Sequence, residues 1–272
     1  MIVQGAAPGA ERFVITMDQH CAFAGRLAAL FGNEIFEPVA PRELMLYVVS
    51  HHDAGWREVD RQALRDPTTG LPYDLVKTPF AHIVETSSLS PDSNANKHAY
   101  CELISSMHSW GLYNGRYGMS DKVLLNSLAA ENRTMADIML EKELERQERL
   151  KRTLAADPET RTWIDEGHLL QNYKQLQFFD VLSLYFHCTP QDKRGTSTFG
   201  HVPRNAREDV EVTVSELENG TYTFEPYPFR ENGIELQFGG RWLAPVSEGA
   251  DVREALGRAP VARQRVRFVA RH

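Results

Sequence analysis

Apolar positions along the chain follow helical spacing through most of its first two thirds. In residues 14–32, Cys21, Phe23, Ala24, Leu27, Ala28 and Leu30 form one stripe, with Thr16 and Asp18 as capping candidates and Gly32 as a stop. Residues 41–51 carry a second helical pattern that opens on Pro41 and runs into His51-His52-Asp53-Ala54-Gly55-Trp56. Residues 60–80 read as loop, because DPTTGLPYD is dense in turn formers. A short helix is expected near 80–88, then a polar break at SPDSNANK, then helix over 98–113. Residues 121–153 alternate acids and bases around Met139, Leu140, Leu144 and Leu150, which predicts a solvated helix with an apolar seam. Residues 157–187 predict another long helix, ending in LQFFDVLSLYFHC.

From about residue 205 the period changes from 3.6 to 2. DVEVTVSEL, TYTFEPYPF, IELQFGGRWLAPV and RQRVRFVAR alternate and are rich in β-branched and aromatic residues, with Glu-Asn-Gly between the first two. The expected architecture is mainly α: a helical domain over 1–204, with a small antiparallel β appendage over 205–272 packed on it.

Composition narrows the function classes. The chain has 272 residues, 42% apolar and 25% charged, with a net charge of −7. An acidic balance argues against a general nucleic-acid or anionic-membrane binder. No apolar window approaches a membrane span, and the N-terminal MIVQGAAPGAERF has no signal-peptide pattern. Cys21, Cys101 and Cys188 are odd in number and far apart, which fits a reducing cytoplasm better than a disulfide framework. The partner expected is a small-molecule substrate; oligomeric state is left open.

The candidate chemistry lies in histidines and aspartates placed on the helical patterns. Imidazole and carboxylate are both ligands for zinc, iron or manganese, so His52-Asp53 at a helix end is a metal-site candidate. Gly55 would let the chain turn sharply away from it. Asp180 lies among Phe178, Phe179, Val181 and Leu182. Buried alone it is costly and calls for a cation; facing water it needs none. Cys21 neighbours His20, but a helical neighbour points about 100° away and is not expected to share its pocket. The sequence has no nucleophile elbow, P-loop or dinucleotide fingerprint.

The order H … HD … D, each on its own helix, resembles the HD superfamily of metal-dependent enzymes, whose core is worded H-D-x-G, here His52-Asp53-Ala54-Gly55. The phrases DQHCAFAGRLAALFG, VVSHHDAGWREVD, DPTTGLPYDL, LISSMHSWGLY, NYKQLQFFDVLSLYF and YTFEPYPF are similar to an uncharacterised bacterial family with this core. The resemblance implies an HD-like helical bundle with His20, His52, Asp53 and Asp180 as ligands of one divalent metal such as Fe or Mn. In two-metal members it implies His82 and His108 as further ligands, with Asp53 bridging and His98 competing for one position. It implies a hydrolase of a phosphate ester or nucleotide, with a di-iron oxygenase using O2 and a non-catalytic metal-binding module as alternatives. Asp53 and His51 are the catalytic candidates, and Arg57, Trp56 and Lys174 the substrate-binding ones. Trp56 stands where many HD phosphatases carry Lys, which weakens the phosphate reading.

Overall fold

The computed structural model describes residues 1–271. Two short strands come first, β1 (Ile2–Val3) and β2 (Arg12–Ile15). Helix α1 (Met17–Leu30) follows, started by a capping box in which Thr16 and Gln19 exchange side-chain and backbone hydrogen bonds. It stops at Gly32, whose φ of +106° suits glycine. Then come α2 (Arg42–Val49), a 3-10 turn at Ala54–Trp56, α3 (Arg57–Gln62), α4 (Phe80–Ala95), α5 (Ala99–Tyr113), the one-turn α6 (Gly115–Gly118), α7 (Ala130–Ala156) and α8 (Glu166–Cys188). The last part holds β3 (Ser197–Pro203), β4 (Asp209–Glu218), β5 (Thr221–Glu225), β6 (Ile234–Leu243), α9 (Val252–Arg258) and β7 (Val261–Val269).

The expected polar break at SPDSNANK is not one. Helix α4 runs through Pro91 to Ala95. Proline removes one helical hydrogen bond, the one its N–H would give to the carbonyl of Ser87. Ser109 on α5 replaces that donor, its hydroxyl reaching the Ser87 oxygen at 2.8 Å. A buried polar contact between neighbouring helices thus keeps α4 continuous, a tertiary effect that turn propensity does not reveal.

The expectation of a mainly helical domain with a small antiparallel appendage is overturned. The strands form one seven-stranded sheet in the order β1-β2-β6-β7-β5-β4-β3, curled into a half-barrel. The N-terminal strands belong to it, with Arg12 opposite Leu243 and Phe13 opposite Trp242. It is also mixed: β5 runs parallel to β7, while the other pairs are antiparallel. Residues 2–15 were too short and too interrupted by Gly and Pro for their alternation to register as strands. The Asn219-Gly220 hairpin does form as its sequence indicates, both residues at positive φ.

One core joins sheet and helices. Phe13, Phe224, Phe238 and Phe268 from the sheet pack with Phe23 and Ala24 of α1 and Phe179, Leu182 and Phe186 of α8. The sheet is therefore the floor on which α1 and α8 lie, and those two helices carry His20 and Asp180. Among the described residues, no helix is long and apolar enough to cross a membrane.

Candidate metal centre

The turn after α2 is held from three sides. The Asn94 side chain donates to the carbonyl of His51 at 2.9 Å, and Ser105 donates to the carbonyl of His52 at 3.3 Å. Gly55 donates its N–H to Ser90 at 3.0 Å. A Cβ at Gly55 would lie 2.3 Å from the carbonyl oxygen of Thr86 and 2.8 Å from the nitrogen of Ser90. Gly55 is thus required by the close approach of the turn to α4; its φ lies outside the left-handed region.

This pinned turn brings His52 against α1 and α8. His20, His52 and Asp180 each offer a ligand atom within 4.8 Å of the others, and all three residues are buried. His20 Nε2 lies 3.1 Å from Asp180 Oδ1, and His52 Nε2 lies 3.7 Å from the same oxygen. Asp53 Oδ2 is 3.4 Å from His52 Nε2, and Asp53 Oδ1 is 3.8 Å from His108 Nε2. Asp180 turns toward α1 and not toward water, while its neighbours Phe178 and Phe179 pack on Phe31.

Hydrogen bonding sets the tautomers. His52 Nδ1 donates to the carbonyl of Val49 at 2.8 Å, so Nε2 carries a lone pair in the neutral ring. That Nε2 is buried without a hydrogen-bond partner. Ser183 donates to the carbonyl of Asp180 at 2.8 Å, so its oxygen accepts from His20 Nδ1 at 2.9 Å. His20 Nε2 then presents a lone pair to a carboxylate oxygen. Two lone-pair atoms at 3.1 Å need a cation beside them, either a proton or a metal ion.

The electrostatics agree. Burial works against the charge on Asp180, yet the adjoining His20 and His52 rings outweigh it and hold the carboxyl well below its usual range. Burial also works against a charged His52; the neighbouring Cys21, Asp53 and Asp180 outweigh it and favour positive charge at that position. His108 behaves in the opposite way. Burial first, then the charge of His52, push it down to about 4, so it is a neutral imidazole near pH 7. Its Nδ1 sits 2.6 Å from the side-chain amide of Gln177.

Three residues near the centre were not anticipated. His187, read from sequence as structural or exposed, is fully buried with Nδ1 3.2 Å from His20 Nδ1. Gln177 orients His108. Cys21 does share the pocket: its Sγ, a ring nitrogen of His52 and a carboxylate oxygen of Asp53 lie within 4.8 Å of one another. Consecutive residues of α1, His20 and Cys21, each group with the same His52 ring, which helical rotation alone does not exclude. A hint for His187 was available, since it lies seven residues after Asp180 and two helical turns return it to the same face.

Other candidates stand apart. His82 is half-buried on α4, with Nδ1 3.6 Å from Glu85, and is not among the grouped ligand atoms. His98 caps α5, its ring accepting from the N–H of Tyr100. Arg57 pairs with Asp18 at 2.9 Å in an exposed bridge. Lys174 pairs with Asp209 of β4. Trp56 is buried in the core. His51 donates from Nδ1 to the carbonyl of Tyr47 at 2.8 Å and stacks on that residue's ring.

A family described as a protein of unknown function, DUF3891, matches residues 1–244. The chain belongs to the DUF3891 family. The match covers all the residues of the centre and strands β1 to β6. No curated protein sequence and no solved structure matches the chain.

Proposed function

We propose that this DUF3891 protein is a metal-dependent hydrolase of HD type, acting on a phosphate ester or nucleotide. The observation that carries the reading is His52 Nε2: buried, unpartnered, its lone pair fixed by the Nδ1 bond to Val49, with His20, Asp53 and Asp180 around it. An orphaned acceptor facing two carboxylates is a costly arrangement in the absence of a cation. The order His20, His52-Asp53, Asp180 on separate segments is also the order that the HD resemblance implies.

A bound divalent ion would supply Lewis acidity at a phosphoryl oxygen and would acidify a water. His20, His52 and Asp180 would hold it. Asp53 is the most open carboxylate of the group, with 14% of its side chain exposed, and is placed to orient the attacking water. Gln177 fixes the ring of His108, whose Nε2 faces Asp53 from the other side. Arg116 is half-buried, and its charge bears on His108 and Tyr173. It has no carboxylate within ion-pair distance among the described residues, which makes it a better phosphate partner than Arg57 or Lys174. Arg116 and Tyr117 both hold left-handed backbone at φ +51° and +57°. Such conformations persist only where the surroundings enforce them.

The oxygenase reading needs two irons with His82 as a ligand, and His82 stands with Glu85 instead. The test is hydrolysis of phosphomonoester, phosphodiester and nucleotide panels with Mn2+, Fe2+ or Co2+, beside metal analysis. Metal-dependent turnover that is lost in Asp53→Ala is expected. A loaded protein silent across all panels would overturn the hydrolase and leave a metal-binding module. Two irons per chain with O2 consumption would replace it with the oxygenase.

A further inference from the structure

We propose that Cys21 is a ligand of the ion held at His52, so that the centre is a mixed thiolate, imidazole and carboxylate site. The proposal rests on the metal-centre reading above and adds a donor outside its His20, His52, Asp53 and Asp180 set. A free buried cysteine normally packs as a small hydrophobe. Cys21 is 2% exposed, yet its sulfur faces a ring nitrogen of His52 and the carboxylate of Asp53, all within 4.8 Å. The second, independent observation is the unpartnered and fully buried Nε2 of His52.

The geometry follows from one helix passing one turn. His20 and Asp180 form one group of ligand atoms with His52, and Cys21 and Asp53 form another with the same ring. When the sulfur binds, a metal–sulfur bond replaces the S–H bond and the proton is released to solvent. A thiolate donor selects borderline and soft ions such as Co2+, Zn2+ and Fe2+ over Mg2+ and Ca2+.

Cobalt provides a direct readout, since thiolate ligation gives a charge-transfer band in the near ultraviolet in addition to the visible d–d bands. In Cys101→Ser/Cys188→Ser, Cys21 is the only thiol. That variant and the wild type should each bind Co2+ with both band sets. Cys21→Ser should bind Co2+ more weakly, keep the d–d bands and lose the charge-transfer band. Co2+ bound with d–d bands alone in the wild type would overturn the thiolate ligand and leave the metal centre standing. No Co2+ binding at all would overturn both. Should the loss of Cys101 impair folding, Cys188→Ser compared with Cys21→Ser/Cys188→Ser gives the same decision, because retention of the charge-transfer band in the latter would assign it to Cys101 and overturn the proposal.

Discussion

His52 and His187 are both fully buried, and both present an Nε2 without a partner, yet their surroundings are opposite. His52 faces Asp53, Asp180 and Cys21, groups that attract positive charge. His187 lies over Phe238 at 4.4 Å and beside Phe23 at 5.1 Å. Burial first, then His20, Arg194 and Arg26, push it well below the usual histidine range and keep it neutral. His20 touches both. The comparison teaches that histidine content and burial do not locate a metal centre. The sign of the potential separates the two histidines, and here it reverses across one ring, from carboxylates on the turn side to aromatic rings and guanidinium groups on the sheet side.

The sheet side breaks first through packing. Phe238 is 1% exposed and packs edge-to-face against Phe13, Phe23 and His187. Phe238→Ala is expected to cost about 3–5 kcal/mol of stability, read by urea denaturation, because the ring leaves a cavity beneath α1 and α8. Metal affinity of the protein that remains folded should change far less. The turn side breaks through charge. Asp180→Ala removes the carboxylate that faces both His20 and His52, and ion affinity in a competition titration should fall by at least about 100-fold, beyond the loss typical of a residue that only orients a ligand. Equal affinities for wild type and variant would mean that this carboxylate holds no ion.

The two sides were not equally legible in the sequence. Asp180 stood out because an acid inside LQFFDVLSLYF needs an explanation, and His52-Asp53 stood out by residue type and order. Their convergence depends on α1 and α8 packing side by side, which no spacing along the chain expresses. The sheet was legible only in its C-terminal part, in β4, β5, β6 and β7. Its first strand has two residues and its second has four, so the N-terminal strands, and with them the curl of the sheet under the site, were invisible to periodicity. The charged candidates show another limit: proximity in sequence to a ligand says nothing about direction. Lys174 lies six residues before Asp180 but turns toward Asp209, whereas Arg116, just past LISSMHSWGLY and not singled out by it, bears on His108.

His187→Phe sharpens the boundary between the two sides. It keeps a ring between Phe23 and Phe238 while removing the nitrogen that faces His20. A swap of similar volume should alter stability by less than about 1.5 kcal/mol. His20 then relies on Ser183 alone for its orientation, so ion affinity should fall by about tenfold, at the low end of the range for an outer partner. Unchanged affinity would show that Ser183 alone sets the ring, and that His187 belongs to the sheet core and not to the centre.

Arg57→Ala should have the smallest effect, and it tests whether the reversal of potential is local. Arg57 follows the His52-Asp53-Ala54-Gly55-Trp56 turn directly, and on sequence alone it was a substrate-binding candidate. Its guanidinium pairs with Asp18, and both side chains are more than half exposed. Exposed pairs of this kind contribute about 0–1 kcal/mol because water screens them and two long side chains lose freedom. Its removal should therefore leave the thermal midpoint, the ion affinity and the KM for a phosphate substrate close to those of the wild type. Arg116→Ala should raise that KM several-fold. A raised KM in Arg57→Ala together with a neutral Arg116→Ala would move the anion site to the outer face of α3 and place substrate on the opposite side of the turn.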